Sequence, residues 1–367
     1  MPAGFTLLLI AVLALAVSFD YVNGFHDTAN AIATSVSTRA LRPYQAILMS
    51  ATANFLGALT GTAVAKTIAA GIATTPSGDA GQIIVAAALV GGITWNLVTW
   101  RLGIPSSSSH ALIGGLIGAV IAATGTAALN VDGIVAKVLV PLVLSPILGI
   151  VIGFALMVVL LNVFRRSHPR RINERFRRLQ VLSAAYMAFS HGSNDAQKTM
   201  GIMTLALVTA GILSKPDVPL WIIFLAASAI SLGTAAGGWR IIRTMGQRVV
   251  KLDPVHGFAA ETTAATIILG ASSLGIPVST THVISSAIMG VGASDRFSAV
   301  RWGVAGDIVL AATAISMGTA AGGWRIIRTM GQRVVKLDPV HGFAAETTAA
   351  SIIYTASHFG MPVSTTH

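Results

Sequence analysis

Residues 103–110, with the sequence GIPSSSSH, interrupt a long apolar region of the chain, and residues 275–282, GIPVSTTH, interrupt a second one. Residues 24–30, GFHDTAN, and residues 192–198, GSNDAQK, form another matched pair of polar motifs in apolar surroundings. Both pairs follow the same order along the chain, at nearly equal separations. This arrangement predicts an internal repeat whose two halves each carry one motif of each kind.

The composition places this repeat in a membrane. The chain has 367 residues, of which 54% are hydrophobic and 10% charged, and its mean hydropathy is +0.76. A soluble domain carries about 25% charged residues, so a water-soluble enzyme is excluded, and the high apolar content excludes disorder. At about 20 residues per crossing there is room for roughly ten membrane-embedded segments, and residues 44–65 are predicted as one plain span. The fold class is therefore an all-α polytopic membrane protein.

Positive charge predicts the orientation. Basic residues cluster at 164–179 and 239–252, and the positive-inside rule places both stretches in the cytoplasm of a cell-membrane protein. The weakly charged loops 66–80, 126–133 and 213–218 then fall outside, as does the N-terminus.

This orientation requires two re-entrant hairpins. Segments 82–100 and 107–125 must return to the side they entered, and so must segments 258–274 and 281–293. Glycine and proline at the two joints favour hairpins, because both residues interrupt a helix. Two full spans in each place is the alternative.

The two halves then enter the membrane from opposite sides. Inverted repeats with broken helices are the architecture of secondary transporters, whose sites lie at the midplane. We predict a first inverted repeat at residues 1–163, a basic cytoplasmic loop at 164–179 and a second inverted repeat at 180–323.

A second repeat is of a different kind. Residues 234–265 recur identically at 319–350, which indicates a recent duplication or an accident of gene assembly. We interpret residues 324–367 as a duplicated, truncated copy of 239–282. The copy has no half-helix behind its hydroxyl groups, so we expect the working site to use the first copy.

Hydroxyl groups cluster where the two hairpins turn. Serine and threonine are good helix N-caps, and a helix N-terminus attracts anions because of its free N–H groups and its partial positive charge. Two such ends facing each other would suit a tetrahedral oxyanion, while ordinary capping is the alternative. The predicted substrate-binding hydroxyls are those of Ser107, Ser108, Ser109, Ser279, Thr280 and Thr281.

Two carboxylates lie inside apolar segments, and an intramembrane carboxylate indicates a functional site. Asp27 with Asn30, and Asp195 with Asn194, offer oxygen ligands that, together with broken-helix carbonyls, suit a small hard cation or a proton. A structural ion pair of Asp195 with Lys198 is the alternative.

Other polar residues are weaker candidates: four histidines suit either a proton relay or a structural bond, and two acidic residues are interpreted as structural. They are His26, His110, His191 and His282, and Glu261 and Asp307.

These motifs resemble the PiT family of inorganic phosphate transporters over roughly residues 5–315. The resemblance implies symport of inorganic phosphate with protons or sodium, in bacterial members often as a neutral metal–phosphate complex. His26, where many members have asparagine, resembles the bacterial branch and favours protons. Gln197 is also a predicted substrate-binding residue. No resident cofactor, metal site or nucleic-acid partner is expected, and a homodimer is left open.

The charges of the predicted site favour transport of phosphate together with a cation. A phosphate carries about −1.5 to −2 charges, two helix ends return about +1, and two ionised aspartates add a further −2. Binding away from water therefore needs about two or three extra positive charges, which protons, sodium or a divalent metal on the anion would supply.

Two alternatives remain. A sulfate or other oxyanion permease could use the same scaffold. An intramembrane serine hydrolase is disfavoured, because Ser109 and His110 are sequence neighbours and do not face each other on a helix.

Overall fold

The computed structural model describes residues 6–238, 241–242, 252–300 and 302 of the chain. The predicted tail copy at 324–367, Asp307 and most of 239–252 lie outside the described residues. In chain order the described α-helices are α1 (Leu7–Ser37), α2 (Pro43–Ala58), α3 (Ala63–Gly71), α4 (Asp79–Leu102), α5 (Ser108–Thr124), α6 (Val131–Ile134), α7 (Val140–Phe164), α8 (Pro169–Thr209), α9 (Leu220–Ala236), α10 (Pro254–Ser273) and α11 (Thr280–Asp295). The all-α prediction is confirmed.

Several of these helices are long and apolar enough to cross a membrane. Within the described ranges they are α1, α4 and the continuous stretch Val131–Phe164, in which a π-helical turn joins α6 to α7. The consecutive helices α2 and α3 reach the required length together but are bent by 67°. Residues 44–65 were predicted as one plain span, and the structure shows instead a break after Ala58.

The basic stretch 164–179 is mostly helical and not a loop. α8 begins at Pro169, a residue that suits the first turn because a helix leaves its first N–H groups unpaired. Ile172 and Phe176 are buried at helical spacing, so this turn packs on the protein while the arginines project from the opposite, exposed face. Only residues 165–168 separate α7 from α8.

Helix contacts follow a two-fold pattern. α1 packs on α9 as α8 packs on α2, and α1 packs on α4 as α8 packs on α10. Glycines allow the close approach: Gly57 in α2 lies against the carbonyl of Phe189 in α8, and Gly233 in α9 lies against the carbonyl of Tyr21 in α1. A methyl group at either glycine would overlap that oxygen. The two halves of the chain are therefore built on the same packing scheme.

The two hairpin joints have the same backbone. Gly103 ends α4 with φ 68° and Gly275 follows α10 with φ 67°, the left-handed region in which glycine avoids a steric penalty. The following amides close matching turns: Ile104 N–H donates to Thr99 O and Ile276 N–H donates to Ala271 O, both at 2.9 Å.

The joints lie inside the protein and touch each other. Residues 106–110 and 278–282 are at most 6% exposed, and the Thr281 hydroxyl donates to the Ser106 carbonyl at 3.0 Å. A joint between two complete spans would lie at a membrane surface. Two buried joints in mutual contact are the arrangement that re-entrant hairpins produce.

Candidate transport site

Both hairpins place a helix N-terminus at the contact between the joints. Ser107 caps α5 and accepts a hydrogen bond from the amide of His110 at 3.2 Å, while Ser279 caps α11 and accepts from the amide of His282 at 3.3 Å. The capping role considered from the sequence is therefore present at these two positions. The next hydroxyl is different: Ser108 Oγ is buried and has no hydrogen-bond partner among the described residues.

Asn30 connects α1 to the second hairpin. Its amide nitrogen donates to Thr281 Oγ1 at 2.9 Å and to Thr280 Oγ1 at 3.3 Å. The structure thus brings Asn30, which the sequence assigned to the cation site with Asp27, together with two of the predicted substrate-binding hydroxyls.

Lys198 connects α8 to both hairpins. Its side chain is 1% exposed, and its ammonium donates to Ser109 Oγ and, at 2.9 Å, to the Val278 carbonyl. The same group forms an ion pair with Asp195 at 2.5 Å. The Asp195–Lys198 pair considered as a structural alternative is present, and it lies at the centre of the site.

Sequence reasoning did not select Lys198 as a site residue. The available signal was a lysine within an apolar segment, where charge is costly, at the position that Asn30 occupies in the first motif.

The two aspartates come together with a histidine. One ligand atom each from Asp27, His191 and Asp195 can be chosen so that all three lie within 4.8 Å of one another, and all three side chains are buried. Carboxylate oxygens suit a hard cation, and an imidazole can carry a proton. The histidine was one of four weak candidates in the sequence, and the fold brings it into the predicted cation site.

Hydrogen bonds orient both histidines beside the aspartates. His191 Nδ1 lies 2.9 Å from Asn54 Oδ1, and its Nε2 lies 3.4 Å from Asp195 Oδ2. His26 Nδ1 lies 2.6 Å from Asp27 Oδ1, and its Nε2 lies 3.0 Å from the Thr99 hydroxyl. Each aspartate therefore has an imidazole as a neighbour.

α1 and α8 remain helical through Asp27 and Asp195. The sequence hypothesis supplied broken-helix carbonyls to the cation, and these two helices are not broken at the aspartates. The nearby breaks are the hairpin joints, of which the second places the Val278 carbonyl on Lys198.

Two predicted residues point elsewhere. Gln197 accepts from the amide of Val64, in the first turn of α3, at 2.8 Å and donates to the Ser193 carbonyl at 2.6 Å. Asn194 donates to the Ile276 carbonyl at 3.4 Å. These contacts hold the α2–α3 break and the second joint in place.

The remaining candidates occupy the surroundings of the site. The rings of His110 and His282, which follow the two hydroxyl clusters, have centroids 5.1 Å apart. Glu261 accepts hydrogen bonds from Thr34 and, at 2.5 Å, from Ser183. This network ties α1, α8 and α10 together, in accord with the structural role expected for Glu261.

The fold and the site together define a class. A helical membrane protein with two matched halves, buried helix ends facing each other and paired carboxylates between them has the organisation of a secondary transporter.

Comparison with known proteins gives the family. The phosphate transporter family matches residues 23–172, 163–312 and 308–367. The chain belongs to this family, so it is a transporter and not an enzyme.

The relatives agree. The chain is 51% identical over 300 residues to a probable low-affinity inorganic phosphate transporter of Bacillus subtilis (strain 168), covering 82% of this chain and 90% of that protein. It is 49% identical over 306 residues to a protein of the same description from Rhizobium meliloti (strain 1021), covering 83% and 91%. A solved structure described as the sodium-dependent phosphate transporter superposes with a TM-score of 0.79 at 26% identity, covering 89% of this chain and all of that one.

Proposed function

We propose that this chain imports inorganic phosphate by symport with protons or sodium, and that the anion binds between the N-termini of α5 and α11. The observation that carries this proposal is the buried contact of the two hairpin joints. Each joint presents a helix N-terminus with hydroxyl groups, and cationic and amide side chains reach both from the neighbouring helices.

The chemistry of the joints suits a tetrahedral oxyanion. Each helix N-terminus contributes about half a positive charge and unpaired N–H groups. Lys198 adds a full positive charge next to Ser109, and Ser108 Oγ is a buried hydroxyl with no partner among the described residues. The proposed phosphate ligands are Ser107, Ser108, Ser109, Ser279, Thr280 and Thr281. Gln197, which accepts from the Val64 amide of α3, is proposed to support them without touching the anion.

The aspartates and Asn30 form the proposed coupling site. Asp27 and Asp195 approach each other with His191, and Asn30 links this cluster to the hydroxyls of α11. A cation bound here lies next to the anion and offsets its charge, so each stabilises the other. The imidazoles beside both aspartates favour a proton, because an imidazole can accept and release a proton, whereas sodium prefers oxygen ligands. A divalent metal could enter bound to the phosphate.

We also propose the cell membrane as the location, with the N-terminus outside and the basic stretches 164–179 and 239–252 in the cytoplasm. Contacts among the three loops expected outside support their placement on a common side. Asp217 in loop 213–218 pairs with Lys66 at 3.0 Å, and Ala73 and Leu129 form a β-bridge. The loops therefore lie on one face.

The stretch Val131–Phe164 offers the bilayer an exposed apolar surface. In the most apolar part of this stretch only 17% of the residues are buried. Val143 and Val151 are more than half exposed. A second copy of the chain could cover part of this surface as a homodimer, which a mass measurement in detergent would decide.

The test is uptake of labelled phosphate into proteoliposomes under a proton gradient alone and a sodium gradient alone, each with and without excess sulfate or a metal chelator. We expect phosphate to accumulate with one gradient, and sulfate to compete weakly. Equal competition by sulfate would make the chain a general oxyanion permease, and no accumulation with either gradient would contradict symport. A loss of uptake on chelation would identify a metal–phosphate complex as the transported form.

A further inference from the structure

We propose that the Lys198 ammonium is a tethered cation. In the second half of the chain it occupies the position that corresponds to the place of a co-transported cation beside Asn30 in the first half. Lys198 thereby lowers by one the number of cations carried with each phosphate. This inference rests on the proposed symport and concerns its stoichiometry.

The geometry at the two positions is matched. Asn30 lies three residues after Asp27, and Lys198 lies three residues after Asp195. Each side chain reaches the hairpin of the opposite half: Asn30 donates to Thr281 Oγ1, and Lys198 donates to Ser109 Oγ. Thr281 and Ser109 are themselves equivalent, since each immediately precedes the histidine of its joint motif. The two residues therefore occupy one position of a two-fold arrangement, and they differ in charge.

The ligands around the ammonium are those of a cation site. Lys198 Nζ touches a carboxylate oxygen of Asp195, the Val278 carbonyl at a helix break and the Ser109 hydroxyl. Carboxylate, carbonyl and hydroxyl oxygens are the ligand set that a hard cation takes. An asparagine in place of the lysine would leave these oxygens without a positive charge and add one more oxygen ligand.

The charges of the proposed site also favour a fixed cation at Lys198. Without Lys198, a phosphate of about −1.5 to −2 charges, two aspartates and two helix ends leave a deficit of about two or three positive charges. The ammonium supplies one of them and is never released. Fewer free cations are then needed to bring phosphate into the buried site.

A purely structural ion pair predicts something different. A buried pair that only holds helices together would contribute to folding, and loss of one partner would be destabilising, but it would not set the number of transported ions. Stoichiometry therefore separates the two roles.

The experiment compares wild type, Lys198→Asn and Lys198→Arg in proteoliposomes. The asparagine copies the residue of the first half, and the arginine keeps the charge. Cation and phosphate fluxes are measured together with the reversal potential, using the driving cation identified for the wild type. We expect one additional cation per phosphate for Lys198→Asn, a Hill coefficient for that cation higher by about one, and an unchanged ratio for Lys198→Arg.

Each outcome decides the proposal. An unchanged ratio in Lys198→Asn overturns it, as does a folded Lys198→Asn variant that transports at no cation concentration. If Lys198→Asn does not fold, Asn30→Lys tests the reverse change: one cation fewer supports the tethered cation, and an unchanged ratio contradicts it. A wild type that accumulates no phosphate under any gradient would instead contradict the proposed function, which keeps the two failures distinct.

Discussion

The two halves of the molecule share a scaffold but not their charges. In the first half Asp27 has a histidine neighbour, His26, and an uncharged Asn30 one turn on. In the second half Asp195 is bound by both Lys198 and His191. The hydroxyl clusters and the glycine turns of the two joints are alike. The difference teaches that the two halves offer similar groups to the proposed anion site, whereas the charges beside their two aspartates differ.

The largest expected effect comes from removing one aspartate at a time. Asp195→Asn leaves Lys198 buried without its carboxylate, which should lower the free energy of unfolding by about 3–5 kcal/mol. Asp27→Asn removes the partner of His26 Nδ1, while the other ring nitrogen keeps its contact with the Thr99 hydroxyl, so we expect a loss of only about 1 kcal/mol. Both variants should lose gradient-driven uptake, because both remove a carboxylate from the proposed cation site, while phosphate exchange partly survives.

Thermal unfolding in detergent and paired uptake and exchange assays check this prediction. Equal destabilisation by the two variants would show that the buried lysine does not distinguish the halves. Variants that still concentrate phosphate against a gradient would reduce both aspartates to structural residues.

The second prediction tests the symmetry of the packing. Gly57→Ala and Gly233→Ala each place a methyl group on a helix carbonyl of the opposite half. We expect each to lower the free energy of unfolding by about 1–3 kcal/mol, the usual cost of overpacking, and by similar amounts. The control is Gly270→Ala, because an added methyl group there meets open space. Strongly unequal losses would show that the two crossings are not equivalent.

The third prediction concerns the anion site. Ser108→Ala and Thr280→Ala each remove one hydroxyl from equivalent positions, so we expect phosphate affinity to fall about tenfold in each, the size of one hydrogen bond to a charged group. Ser273→Ala, an exposed serine that bonds its own helix, is the control and should bind phosphate normally. Equilibrium binding of labelled phosphate to purified protein gives the comparison. Unchanged affinity in both variants would move the anion away from the helix ends.

The sequence predicted those parts of the fold that depend on residue type and on spacing within one short segment. Left-handed glycines, capping serines and buried aspartates are each signalled by residue type and position, so the joints at Gly103 and Gly275 and the carboxylates Asp27 and Asp195 lie where expected.

Features that depend on distant contacts were not predictable. Residues 44–65 read as one span because no proline marks the bend. The break after Ala58 exists where the side chain of Gln197, from another helix, satisfies the amide of Val64 that the break leaves unpaired. The placement of Lys198 on Ser109 likewise requires the first hairpin to meet α8, and spacing along one chain segment cannot show that.

The smallest expected effect belongs to another lysine–aspartate pair among the described residues, Lys66 with Asp217. Lys66 lies in the first half and Asp217 in the second, and their side chains are 53% and 72% exposed. The hydrogen bond from Lys66 lowers the pKa of Asp217, so any stabilisation is present at neutral pH and is lost as the pH falls through this lowered pKa. Water and salt screen an exposed pair, so Asp217→Asn should leave the unfolding midpoint at neutral pH unchanged within error. It should also abolish any small extra loss of stability that the wild type shows in acid.

The measurement is the unfolding temperature of both proteins in detergent at neutral and acidic pH. If Asp217→Asn instead matches Asp195→Asn, burial does not explain the difference between the two pairs, and the special position assigned to Lys198 loses its physical basis.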